Sequence, residues 1–86
     1  MAKWFKPRRE VGYSAEMSAR ENVVTGRRQG YSYLTVGRQL GALANEFEGK
    51  SRNRRFSEEA RRKYASYARR FRQGESLAYT MHAERS

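Results

Sequence analysis

Catalysis in this chain would have to be built from nine glutamates and a single histidine, His82, because the sequence contains no Asp and no Cys. Glu46 and Glu48 stand two apart, which on a helix turns them to different faces, so they do not form an acid–base pair. A metal site would need clustered His, Cys or Asp, which are missing. The glycine-containing loops lack the spacings that cradle nucleotide phosphates. No enzymatic activity, cofactor or metal is therefore expected. The residues that do suggest chemistry are cations. Fifteen Arg outnumber four Lys, and the planar guanidinium fork suits bidentate binding of phosphate or carboxylate. Between residues 50 and 72, ten basic side chains are offset by two acidic ones, and the whole chain carries a net charge of +10. Lys50, Arg52, Arg54, Arg55, Arg61, Arg62, Arg69, Arg70 and Arg72 are the candidate anion-binding set.

The elements that must position these cations have clear periodicity. From Ser57 to Gln73, the residues Ala60, Tyr64, Tyr67, Ala68 and Phe71 recur at steps of three and four, one apolar stripe on a helix. Arg61, Arg62, Arg69, Arg70 and Arg72 fall off that stripe and make a broad cationic face. Ser57 is placed to cap this helix, with Glu58 and Glu59 in its first turn where the helix dipole favours negative charge. A second helix is predicted over 35–48, with Val36, Leu40, Leu43, Ala44 and Phe47 on one face and Gly49 at its stop. Gly37 and Gly41, at the edge of that face, would let another helix approach closely. The basic loop 49–56 then joins an antiparallel pair, 35–48 and 57–73, with Phe47 and Phe56 near the turn. Gly74 predicts a break followed by a short C-terminal helix through Leu77, Ala78 and Met81, or else a kink in a longer one. Tyr64 and Tyr67 lie on the apolar stripe and are expected in the core, not as stacking platforms.

Upstream, residues 1–12 are expected to form a basic, partly flexible arm, with 13–86 as a single small helical domain. Lys3, Lys6, Arg8 and Arg9 surround Trp4 and Phe5, and Pro7 forbids a continuous helix. Trp4 would either stack on a base or fold back onto the core. Ser18 and Glu21 have the form of a capping box. A helix there is the first reading; alternatively, residues 22–36 form a β-hairpin, with Tyr31, Tyr33 and Thr35 alternating against Ser32, Leu34 and Val36.

The stretch from Gly30 to Leu40, with Gly30, Ser32, Thr35, Val36 and Arg38 in register, resembles the turn and recognition helix of helix-turn-helix DNA-binding proteins. That resemblance implies a tight turn at Gly30, a cap at Ser32 and an anchor at Val36. Tyr33, Leu34, Gly37 and Arg38 would include the groove-facing positions, with Tyr33 and Arg38 as candidates for base readout. It covers about eleven residues. Thr25, Gln29 and Gln39 stand where the family presents apolar residues, and an ordinary helix start gives the same letters.

Composition sets the remaining expectations. Leu, Ile, Val and Phe are few and Ile is absent, so the core should be thin and the fold marginal as a monomer, helped by a partner or by a homodimer. The lack of Cys fits a reducing compartment, and no apolar run reaches the length of a membrane span, so a cytoplasmic or nucleoid-associated protein with no membrane partner is expected. Nucleic acid, DNA or RNA, is the first expected partner, gripped at its phosphates by the Arg-rich helix and loop with the arm assisting. A small regulatory or accessory factor of the phage or plasmid kind fits the size. The alternative is a small inhibitor or adaptor docking on an acidic surface of a larger, nucleic-acid-processing complex. A third is a component of a ribonucleoprotein or virion.

Overall fold

A computed structural model describes residues 11–85, which hold helices α1 (Ala19–Arg28), α2 (Tyr33–Ser51) and α3 (Glu58–Arg85). The cations of the arm and Trp4 lie outside the described residues. Of the residues that the sequence groups with the arm, Val11 is buried and Gly12 is exposed.

α1 begins where the capping box predicts. Ser18 Oγ accepts from the Glu21 backbone N–H at 3.1 Å, and Glu21 returns the bond to the Ser18 N–H at 2.9 Å. The Ser18 backbone bond, then its hydroxyl, hold the Glu21 carboxyl below its ordinary range. α1 buries Asn22, Val23 and Gly26. Asn22 is polar and fully buried, which physical chemistry permits because its amide pairs with both backbone groups of Ser14 at 3.0 Å. This ties the segment before α1 to the helix.

Four residues, 29–32, connect α1 to α2. Gly30 takes φ +93°, a region that side chains with a Cβ rarely enter. Ser32 Oγ accepts from the Thr35 N–H at 3.2 Å and starts α2. Val36, with no exposed surface, sits directly over Gly26. The β-hairpin alternative for 22–36 is overturned: both halves are helical, and no strand occurs among the described residues. Capping at Ser18 and Ser32 wins there over the β preference of Val and Tyr.

α2 and α3 pack antiparallel, as expected. Gly37 lies against Tyr79, Gly41 against Glu75, and Phe47 against Phe71, Tyr67 and Tyr64 in turn. Phe56 closes the aromatic cluster at the loop end, its ring 5.1 Å from Tyr64. The bounds differ from the predicted 35–48 and 57–73. α2 runs through Gly49 to Ser51, whose hydroxyl donates to the Glu48 carbonyl at 2.7 Å, and the chain leaves through Arg52 without a left-handed cap. Lys50 is thus helical. The largest correction is at Gly74: α3 continues without a stop to Arg85, and there is no separate C-terminal helix. Gly74 is buried where Leu40 and Ala19 converge, so its missing side chain admits two neighbouring helices rather than ending one. Gly37, under Tyr79, serves the same end.

The core is thin. Val36, Leu40, Ala44 and Ala78 are fully buried, with Phe71 and Val23 nearly so. Among the described residues no helix is long and apolar enough to cross a membrane.

Candidate nucleic-acid interface

The connection 52–57 is an ordered, tight loop. Backbone bonds run from Arg52 to the Gly49 carbonyl, Asn53 to Lys50 and Phe56 to Asn53, and Asn53 Oδ1 accepts from the Arg55 N–H at 2.9 Å. These bonds occupy the main chain, and the side chains of Arg52, Arg54 and Arg55 are exposed. Ser57 Oγ accepts from the Ala60 N–H at 3.1 Å and launches α3. Its first turns add Arg62, paired with Glu58 at 2.9 Å across two side chains that are both more than 70 % exposed. So open a pair contributes little, and an incoming anion can replace it. Arg69, exposed, stands seven residues beyond Arg62 and shares its face. Arg61 is half-buried, its Nε without a partner among the described residues. It lines a shallow depression with Ser51, Glu58, Arg62 and Ala65.

The broad cationic face expected on α3 is divided by its neighbours. Arg70 reaches back to the segment before α1 and donates to the Ala15 carbonyl at 2.7 Å. Arg72 turns the other way, towards α2, where it bonds Glu48 at 2.8 Å and Asn45 at 2.7 Å, and it also bonds Glu75 of its own helix at 2.7 Å. The Glu75 bond, then the Glu48 bond, raise the Arg72 guanidinium above its ordinary value. Its charge is committed within the fold. Lys50 pairs with Glu46 at 3.6 Å and lies over the Phe47 and Tyr64 rings. Arg52, Arg54, Arg55, Arg62 and Arg69 remain directed outward at one end and along one face.

At the other end of α2, Tyr33 and Arg38 are not equivalent. Arg38 is exposed. Tyr33 is half-buried, with the Arg27 guanidinium 4.4 Å and that of Arg85 5.7 Å from its ring centroid. Gly37 is roofed by Tyr79. The C-terminal half of α3 therefore lies over part of the α2 surface that groove insertion would use.

The same end carries a feature that the α3 charge run obscured. A groove of about 530 Å³ runs between α1 and the end of α3, lined by Val23, Val24, Leu77 and Met81, with Arg20, Arg27, Arg28 and Tyr33 around it. Val24 is 41 % exposed. The signal was legible in the sequence: three arginines stand four before, three after and four after a valine, the spacings that share its helix face.

Among the described residues no group of His, Cys, Asp or Glu could hold a metal ion. No family model matches this chain, and neither a curated protein nor a solved structure does.

Proposed function

We propose that this chain is a small nucleic-acid-binding protein that grips the phosphate backbone with the 52–57 loop and the adjoining outer face of α3. One observation carries the reading. Arg52, Arg54, Arg55 and Arg69 project from ordered backbone with no carboxylate partner among the described residues, and Arg62 has only a solvent-exposed one. The same chain satisfies Arg72 internally with three partners. A fold that neutralises one arginine so fully, while leaving four without a carboxylate and a fifth with only an open one along the loop and the adjoining face, presents a surface for an external polyanion. Arg38, on α2 and 14 residues before Arg52, is the remaining candidate for base readout; with Gly37 roofed by Tyr79 and Tyr33 half-buried, shape and phosphate contact dominate over sequence reading.

Salt dependence tests this. Five neutralised phosphates imply a slope of log K against log salt of about −4.5 on duplex DNA, and removing any one arginine from the grip should make it shallower by about one unit. Arg54→Glu and Arg62→Glu should each weaken random-sequence duplex and single strands alike, while Arg38→Ala should leave random-sequence affinity near wild type. Fluorescence anisotropy at two salt concentrations reads all three. Negligible affinity at low salt, or indifference to both charge reversals, would refute the proposal.

A further inference from the structure

The groove between α1 and α3 has a composition that the phosphate grip does not use. Its floor is apolar, from Val24, Leu77 and Met81, and its rim is cationic, from Arg20, Arg27 and Arg28. α2 is 19 residues long, so this groove and the 52–57 loop are separated by roughly 27 Å of helix. They are two surfaces. A nucleic-acid backbone, built of sugar and charged phosphate, offers no continuous apolar surface to cover Val24, Leu77 and Met81. Base stacking is also poorly served, because Tyr33, the one ring at the groove among the described residues, already has Arg27 and Arg85 near it. A second copy of this chain, at net charge +10, would bring like charge to the rim. So would the first ten residues of the chain itself, with four cations and one acid.

What complements an apolar trough between two helices, with arginines along it, is an amphipathic helix bearing acids beside its apolar stripe. We propose that the α1–α3 groove is a docking site for such an acidic amphipathic helical segment of a partner protein. Leu or Met side chains at helical spacing would cover Val24, Leu77 and Met81. Arg20 and Arg27, seven residues and about 10.5 Å apart along α1, would pair with two acids seven apart on the partner. The site is independent of the nucleic-acid reading, and either can fail without the other.

The probe is a fluorescein-labelled 18-residue peptide with Leu at i, i+3, i+4 and i+7 and Glu on both flanks of that stripe. Its controls are a scrambled peptide of the same composition, polyglutamate, and a single-stranded oligonucleotide. The full chain should bind the probe saturably, with NMR shifts centred on the Val24, Leu77 and Met81 methyl groups. The scrambled peptide should bind about tenfold more weakly or worse, and Val24→Glu should cost a similar factor. Arg20→Glu guards against misfolding as an explanation. It adds an acid to the first turn of α1, where the dipole favours one, yet should also weaken the probe about tenfold. Arg54→Glu should leave probe affinity within about twofold, since its charge lies far beyond a Debye length. Equal binding of polyglutamate or the scrambled peptide would reduce the groove to a general anion attractor and overturn the proposal. So would an unchanged affinity in folded Arg20→Glu, methyl shifts centred elsewhere, no saturable binding, or displacement of the probe from those methyls by the oligonucleotide.

Discussion

Gln39 has no exposed surface, yet only its Oε1 has a partner, the Tyr13 hydroxyl at 2.6 Å; its Nε2 is buried without one among the described residues. Burial, with the nearby Tyr31 second, pushes the Tyr13 hydroxyl up, so it stays a donor through the physiological range. Tyr13, from the segment before α1, thus answers a polar side chain on the buried face of α2. Losing one partner strands a buried group, whereas losing both does not. Tyr13→Phe should therefore cost about 1–3 kcal/mol of unfolding free energy, and Gln39→Leu should strand the phenol in turn. The double variant should recover most of the loss. Urea melts of the four proteins measure the coupling, and strictly additive effects would show that the two side chains do not depend on each other.

At the scale of elements, glycine separates close approach from mere tolerance. A Cβ at Gly26 would stand 2.6 Å from Val36 Cγ2 and overlap the Tyr13 hydroxyl, while one at Gly49 would meet nothing within 4 Å. Gly26→Ala should destabilise by about 1–3 kcal/mol through overpacking where α1 meets α2, and Gly49→Ala should stabilise α2 by up to about 1 kcal/mol. Thermal melts followed by circular dichroism distinguish them; a neutral Gly26→Ala would mean that the two helices are less closely seated. The same contrast explains what the sequence could and could not convey. The pairing of α2 with α3 was legible because Leu40, Ala44, Phe47, Tyr64 and Phe71 repeat at helical spacing. The continuation past Gly74 was not, since propensity registers only the cost of a glycine and not the neighbours, Leu40 and Ala19, that its absent side chain admits. α1 was ambiguous because one of its buried residues is Asn22, whose partner at Ser14 no periodicity announces. The division of the α3 cations failed for a related reason: periodicity says that Arg70 and Arg72 leave the apolar stripe, not that Ala15 and Glu48 wait on either side.

At the scale of the molecule, a net charge of +10 is held around a core of mostly small residues. Self-repulsion opposes the compact state, and salt relieves it, because the Debye length falls from roughly 30 Å at 0.01 M to about 3 Å at 1 M. The protein should therefore melt higher in 0.5 M than in 0.02 M NaCl, and relief of about 1 kcal/mol corresponds to about 4–8 °C for a domain of this size. The arginines should divide by role. Neutralising the outward set, with Arg54→Gln, Arg55→Gln and Arg62→Gln combined, should raise the low-salt melting temperature and flatten its salt dependence. Arg72→Gln removes one positive charge too, yet it breaks the bonds to Glu48 and Asn45 that hold α3 to α2, together with the bond to Glu75 within α3. It should lower the melting temperature at every salt concentration, by a few degrees for a network contributing about 1 kcal/mol. Opposite signs for two charge-removing changes would separate cations that the fold consumes from cations that it displays. A triple variant that melts lower than wild type at low salt, or a melting temperature that falls as salt is added, would show instead that the loop arginines stabilise the fold.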